Sequence, residues 1–79
     1  MSNSLKNVSL NDFRGFLLHH DLKHIRTSGG HEVWCGKDLT RPVIIQSHID
    51  AIPIFIIKSN LRTIGLTLND LRNFLESRS

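Results

Sequence analysis

Apolar side chains recur at helical spacing near the start of this chain and again twice near its end. Between these stretches they alternate with polar residues in short runs punctuated by glycine. Ser9-Leu10-Asn11-Asp12 offers a capping oxygen with a carboxylate three residues later, which predicts a helix start. Phe13, Phe16 and Leu17 then fall at spacings of three and four on one face, and the helix ends at His20-Asp21. Leu22 to Thr27 reads as a first strand. Ser28-Gly29-Gly30 reads as a turn, because glycine reaches positive φ at little cost. His31-Glu32-Val33-Trp34-Cys35 alternates as a second strand. If Val33 and Cys35 face the core, His31 shares their side; if Trp34 faces inward, His31 points outward.

Gly36-Lys37-Asp38 predicts a second turn and Arg41 to Gln46 a third strand, with Pro42 at its mouth where a missing N–H is tolerated. Ser47 to Pro53 reads as a loop. Ile54, Ile57, Leu61 and Ile64 follow helical spacing up to Gly65, which stands where a C-terminal cap belongs; the β-branched Ile54, Ile56 and Ile57 would also suit a strand. Thr67-Leu68-Asn69-Asp70 is a second cap signature, opening a helix with Leu68, Leu71, Phe74 and Leu75 on one side. The predicted order is helix, three strands in an antiparallel meander, helix, short helix. Helices covering one sheet face give a two-layer α+β domain. Residues 1–79 form a single domain, with 1–8 as a loose N-terminal leader.

Composition narrows the function classes. The single cysteine, Cys35, cannot form an internal disulfide, and no zinc-ligand spacing is present, which fits a reducing compartment, most simply the cytoplasm. The longest unbroken apolar run, Ile54 to Ile57, falls far short of the ~20 residues of a membrane helix, and Met1-Ser2-Asn3-Ser4 lacks the layout of a secretory signal. Ten Lys and Arg against seven Asp and Glu give a formal charge of +3, which suits a polyanionic partner without requiring one.

Candidate chemistry concentrates on histidine, of which there are five. His19 and His20 at a helix end read as capping and surface residues, and His24 as a solvent-facing strand residue. His31 differs because Gly29 and Gly30 precede it, stripping bulk from its approach and baring backbone N–H groups that can receive a phosphate oxygen. On spacing alone the run reads first as a hairpin turn followed by an ordinary strand histidine. His48 lies near Asp50, two residues on, as an orienting pair or as polar loop residues. Paired catalytic carboxylates, a phosphate loop with lysine and HExxH are all missing, and Cys35 beside Trp34 reads as buried and inert. Basic side chains are dispersed. Lys58 and Arg62 share a helix face and can touch backbone phosphates or simply solvate it.

Across residues 9–76 the chain resembles the HicA family of bacterial toxins, the small RNA-cleaving halves of toxin–antitoxin pairs. The resemblance rests on the N-terminal helix, Gly29-Gly30-His31 followed by Glu32-Val33-Trp34, the strand Arg41 to Gln46 ending in Ser47-His48, and Ile64-Gly65-Leu66 before Asn69-Asp70-Leu71. It implies a fold similar to a double-stranded-RNA-binding domain, α-β-β-β-α with a short C-terminal helix. It also implies cleavage of mRNA without a metal or cofactor, resting on His31. One departure stands out: the family carries a glycine and a threonine or serine at the start of the second helix, where this chain has Pro53-Ile54-Phe55-Ile56-Ile57. That apolar stretch leaves two readings open, a different contact of this helix start with RNA or an enlarged hydrophobic surface for a partner.

The chemistry is compatible with such an activity. The 2′-OH of RNA can attack the adjacent phosphorus once a base removes its proton, and imidazole suits either the base or the acid role near neutrality. The expected arrangement has His31 as general base or acid, Ser28, Gly29 and Gly30 shaping the approach of the phosphate, and Lys23, Arg26, Lys58 and Arg62 contacting the RNA backbone, with His48 as an assisting candidate. Expected partners are mRNA and a cognate HicB-like antitoxin protein covering the His31 surface, with no membrane. The absence of Tyr and the single Trp argue for duplex recognition by shape rather than base stacking. The rival readings are a non-catalytic RNA-binding module of the same fold and a protein-interaction domain using Ile54 to Ile57.

Overall fold

The computed structural model describes residues 7–49 and 51–78. Its elements are β1 (Asn7–Ser9), α1 (Leu10–His19), β2 (Lys23–Ser28), β3 (His31–Cys35), β4 (Val43–Gln46), β5 (Ala51–Pro53), α2 (Ile54–Ile64) and α3 (Leu68–Arg78). Among the described residues the domain is α+β, with three helices, a three-stranded antiparallel sheet ordered β2-β3-β4 and a two-stranded antiparallel sheet of β1 and β5. Among the described residues no helix is long and apolar enough to cross a membrane.

Local signals set the helix boundaries. The Ser9 hydroxyl accepts a 3.0 Å bond from the Asp12 N–H and so satisfies one of the donors left free at the start of α1. α2 ends at Gly65, whose φ of 86° is the left-handed cap expected of glycine there. Thr67 and Asp70 cap α3 reciprocally: the Thr67 hydroxyl accepts from the Asp70 N–H, and the Asp70 carboxylate accepts from the Thr67 N–H. Those bonds hold the Asp70 carboxyl below its ordinary value.

One core joins every element except β2, whose six residues are all exposed. Phe13, Phe16 and Leu17 of α1, Val43 and Ile45 of β4, Ile52 of β5, Ile57 of α2 and Leu71 of α3 are fully buried. Phe16 meets Phe74 edge-on at 5.5 Å between ring centroids, which ties α1 to α3. In β4 burial alternates strictly, with Val43 and Ile45 inward and Ile44 and Gln46 outward.

Several features differ from the sequence pattern: β2 runs Lys23–Ser28 rather than Leu22 to Thr27, which takes Ser28 out of the expected turn, and α3, at 11 residues, is as long as α2 rather than short. Asn7 and Val8 belong to β1 rather than to a loose leader; Val8 is buried opposite Ile52. Correspondingly, Ala51–Pro53 within the expected Ser47–Pro53 loop is β5. Strands of three residues are too short to display a period of two, and their pairing is set by distant partners. The third strand begins at Val43, not Arg41, because Pro42 has no N–H to give to the ladder.

Candidate functional site

The hairpin joining β2 and β3 fixes the orientation of His31. Ser28 pairs directly with His31, so the loop is the two residues Gly29 and Gly30, at φ 58° and 79°. Positive φ at both central positions matches the right-handed twist of the flanking strands. Glu32 and Trp34 are buried, at 4% exposure each, so the alternation turns His31, Val33 and Cys35 away from the core. His31 is exposed, and its Nδ1 lies 3.2 Å from the Gly29 carbonyl oxygen. A carbonyl only accepts, so Nδ1 donates and a neutral ring keeps its lone pair on Nε2.

His31 faces a cleft of about 400 Å³ between the outer sheet face and the start of α2. Its walls are Ile44 and Gln46 of β4, Ile49, and Pro53, Phe55 and Ile56 at the β5–α2 junction. Gln46 pairs directly with His31 across the ladder. Phe55 is 68% exposed, the most open large apolar side chain among the described residues. Beyond the cleft the outer face is open to solvent at Ile25, with Cys35 half-buried.

The expected cations fall into two groups. Arg26 pairs with Val33 and Lys23 with Cys35, which puts both on the face of His31, about 7 and 13 Å along the strand from it at ~3.3 Å per residue. Lys58 and Arg62 are exposed on α2, three and seven residues after Phe55, and therefore share its stripe. His48 lines a different cleft, of about 580 Å³, with Ser9, Asn11, Arg14 and Ser47. Its ring lies against Gly30, where an added Cβ would meet Nδ1 at 3.2 Å. Ile49 separates the two clefts and lines both. The other half of the expected His48–Asp50 pair, Asp50, lies outside the described residues.

Directly behind His31 is a polar network that sequence reasoning missed. The Glu32 carboxylate forms a bidentate ion pair with Arg14 of α1, with Nε to Oε1 at 3.1 Å, and accepts the Trp34 indole N–H at 3.0 Å. Asn11 takes a further Arg14 proton at 3.1 Å. The hydrogen bond from Arg14 outweighs the cost of burial and keeps the Glu32 carboxyl below its ordinary value, with Trp34 adding to the effect; the same bond raises the Arg14 guanidinium. The charge of Arg14 is thus committed to the fold.

Phe55 and Gln46 were also missed as site residues, though each carried a signal. Once Val43 and Ile45 are assigned to the core, Gln46 must face outward. Phe55 falls on the Lys58–Arg62 stripe rather than on the Ile57–Leu61 stripe. No protein-family model, curated protein or solved structure matches this chain.

Proposed function

We propose that this protein is a HicA-like endoribonuclease toxin that cleaves mRNA at His31. The observation that carries the reading is the exposed His31 on the outer sheet face, with its Nδ1 tied to the Gly29 carbonyl and a cleft beside it. A ring so held keeps Nε2 as the basic nitrogen. Nε2 takes the proton of a 2′-OH; the 2′-oxygen forms a bond to the adjacent phosphorus, the bond from phosphorus to the 5′-oxygen breaks, and that oxygen is protonated by water. The products are a 2′,3′-cyclic phosphate and a 5′-hydroxyl. Gly29 and Gly30 leave the approach free of side chains, and Ser28 flanks it from the paired strand.

Arg26 and Lys23 on the sheet, with Lys58 and Arg62 on α2, supply backbone attraction. A double-stranded-RNA-binding-domain-like arrangement of the elements and a cytoplasmic setting belong to the same reading. So does a HicB-like antitoxin covering the His31 surface, which would stabilise the domain by mass action. Purified protein incubated with end-labelled RNA tests the activity: wild type yields cyclic-phosphate ends and His31→Ala does not. Equal cleavage by the two sinks the assignment. A second reading, a non-catalytic RNA-binding module, draws on the same bond to Gly29, which also serves to fix the turn. It predicts that RNA is bound by wild type and left intact.

A further inference from the structure

We infer that the cleft beside His31 seats one unpaired nucleobase of the RNA strand, stacked on Phe55 and met at its edge by Gln46. The inference rests on the endoribonuclease reading and adds a substrate preference to it.

Phe55 is 68% exposed on the first turn of α2, while its neighbours Ile54 and Ile56 are half-buried and Ile57 is fully buried. Leaving an aromatic ring in water forgoes the free energy of burying it. Phe55, Ile44 and Ile56 give the cleft apolar walls, and the Gln46 amide, with one acceptor and two donors, is the polar group beside His31. A nucleobase matches that lining, with a π-face for the phenyl ring and a hydrogen-bonding edge for the amide. The volume of about 400 Å³ leaves room for a base with its sugar.

Charge favours nucleic acid over a protein segment as the occupant. The stripe bearing Phe55 continues into Lys58 and Arg62, and the face bearing His31 carries Arg26. These cations flank the apolar cleft as phosphates flank a base. A base inside an A-form duplex is stacked and cannot enter, so binding through the cleft selects unpaired nucleotides. This reverses the expectation, drawn from the scarcity of Tyr and Trp, that the chain grips duplex RNA by shape alone: one well-positioned phenylalanine suffices to stack one base.

The test uses a short fluorescent 2′-O-methyl oligonucleotide, which has no nucleophile and is not cleaved, both as a single strand and annealed to its complement. Wild type should bind the single strand more tightly than the duplex. Phe55→Ala should weaken single-strand binding by about 5- to 150-fold, the value of one base–aromatic stack, and leave duplex binding unchanged. Phe55→Trp, which restores a platform, should retain the wild-type preference. Thermal melts of both variants should match wild type, because Phe55 is exposed. Equal weakening of both RNA forms by Phe55→Ala, or none in either, overturns the inference, and the latter leaves the cleft to a protein partner. Cleavage of unmodified RNA by wild type against His31→Ala reads the endoribonuclease assignment separately, so the inference can fail while that assignment stands.

Discussion

The two faces of β3 differ by a single residue step and do opposite work. Glu32 and Trp34 point inward, where the carboxylate is held by Arg14 and by the indole N–H. His31, Val33 and Cys35 point outward onto the opposite sheet face, which the start of α2 meets at the cleft beside His31. A buried carboxylate is tolerated only when its hydrogen bonds are supplied, so the inner face is over-determined. That rigidity gives the exposed His31 a fixed position without bonds of its own to the core. The period of two thus separates stability from candidate chemistry within one strand.

The largest expected effect tests this division directly. His31→Ala should cut RNA cleavage by about 10²- to 10⁴-fold, the span of one acid–base group, while changing stability by less than about 0.5 kcal/mol. Cleavage assays and thermal melts on the same preparations check it. A large fall in Tm with little loss of cleavage would give His31 to the turn rather than to the chemistry. His48→Ala should retain most activity, because His48 lines the other cleft. A loss matching that of His31→Ala would make it a second proton-transfer group.

The inner face should respond in the opposite sense. Arg14→Met strands the Glu32 carboxylate with Trp34 alone. The expected cost is about 2–3 kcal/mol, somewhat below that of a fully buried pair because the Arg14 side chain is 35% exposed. For a domain of this size that lowers Tm by roughly 10–20 °C. The pH dependence follows from the sign of the Glu32 shift. A carboxyl whose folded value is depressed stabilises the fold above its unfolded value, and that contribution disappears as pH falls through the folded one. Wild type therefore loses stability on acidification below the ordinary glutamate range. In Arg14→Met the buried carboxyl prefers its neutral form, so the gap between the two proteins should close as pH falls. A gap independent of pH would show that the pair contributes nothing through charge.

Much of the fold was legible because its signals are local. Ser9 with Asp12, Gly65, and Thr67 with Asp70 each act within a few residues, and all three caps formed as read. The Gly29-Gly30 turn was equally local. The orientation of His31 was not, because Val33 and Trp34 are both apolar and alternation alone leaves either side to the core. What decides it is Glu32, a residue that reads as solvent-facing until Arg14, 18 positions earlier, is brought against it. The strands β1 and β5 were invisible for the same reason: Val8 and Ile52 stabilise each other only across the fold. Phe55 was legible as apolar, but its exposure was signalled only by its place on the Lys58–Arg62 stripe, which the apolar Ile54, Ile56 and Ile57 beside it obscure.

The hairpin tip offers a smaller test that touches both histidines. Gly29→Ala and Gly30→Ala each force an L-residue into positive φ, at about 1–2 kcal/mol. A Cβ at position 29 meets nothing within 4 Å, whereas one at position 30 crowds the His48 ring at 3.2 Å. The His48 side chain is exposed and can swing aside, so the two variants should lose similar stability and, with His48 outside the reaction, similar activity. A selective loss of cleavage in Gly30→Ala would tie the position of His48 to the chemistry on the opposite side of the turn.

The smallest effects concern the cations, and here the two faces make their sharpest contrast. Arg26, Lys58 and Arg62 are exposed and are proposed to attract RNA phosphates, whereas Arg14 is already neutralised by Glu32. Each outward cation that contacts a single strand should contribute about 0.7 to the slope of log affinity against log salt. Arg26→Gln, Lys58→Gln and Arg62→Gln should each flatten that slope by about this amount and leave Tm unchanged. Arg14→Met should do the reverse: measured at a temperature where it is folded, it lowers Tm but keeps the wild-type slope. Lys23, farther along the sheet than Arg26, should contribute less than Arg26. If Arg14 proves to carry a full share of the slope, its guanidinium reaches RNA despite Glu32, and the cleft of Arg14 and His48, rather than that of His31 and Phe55, holds the strand.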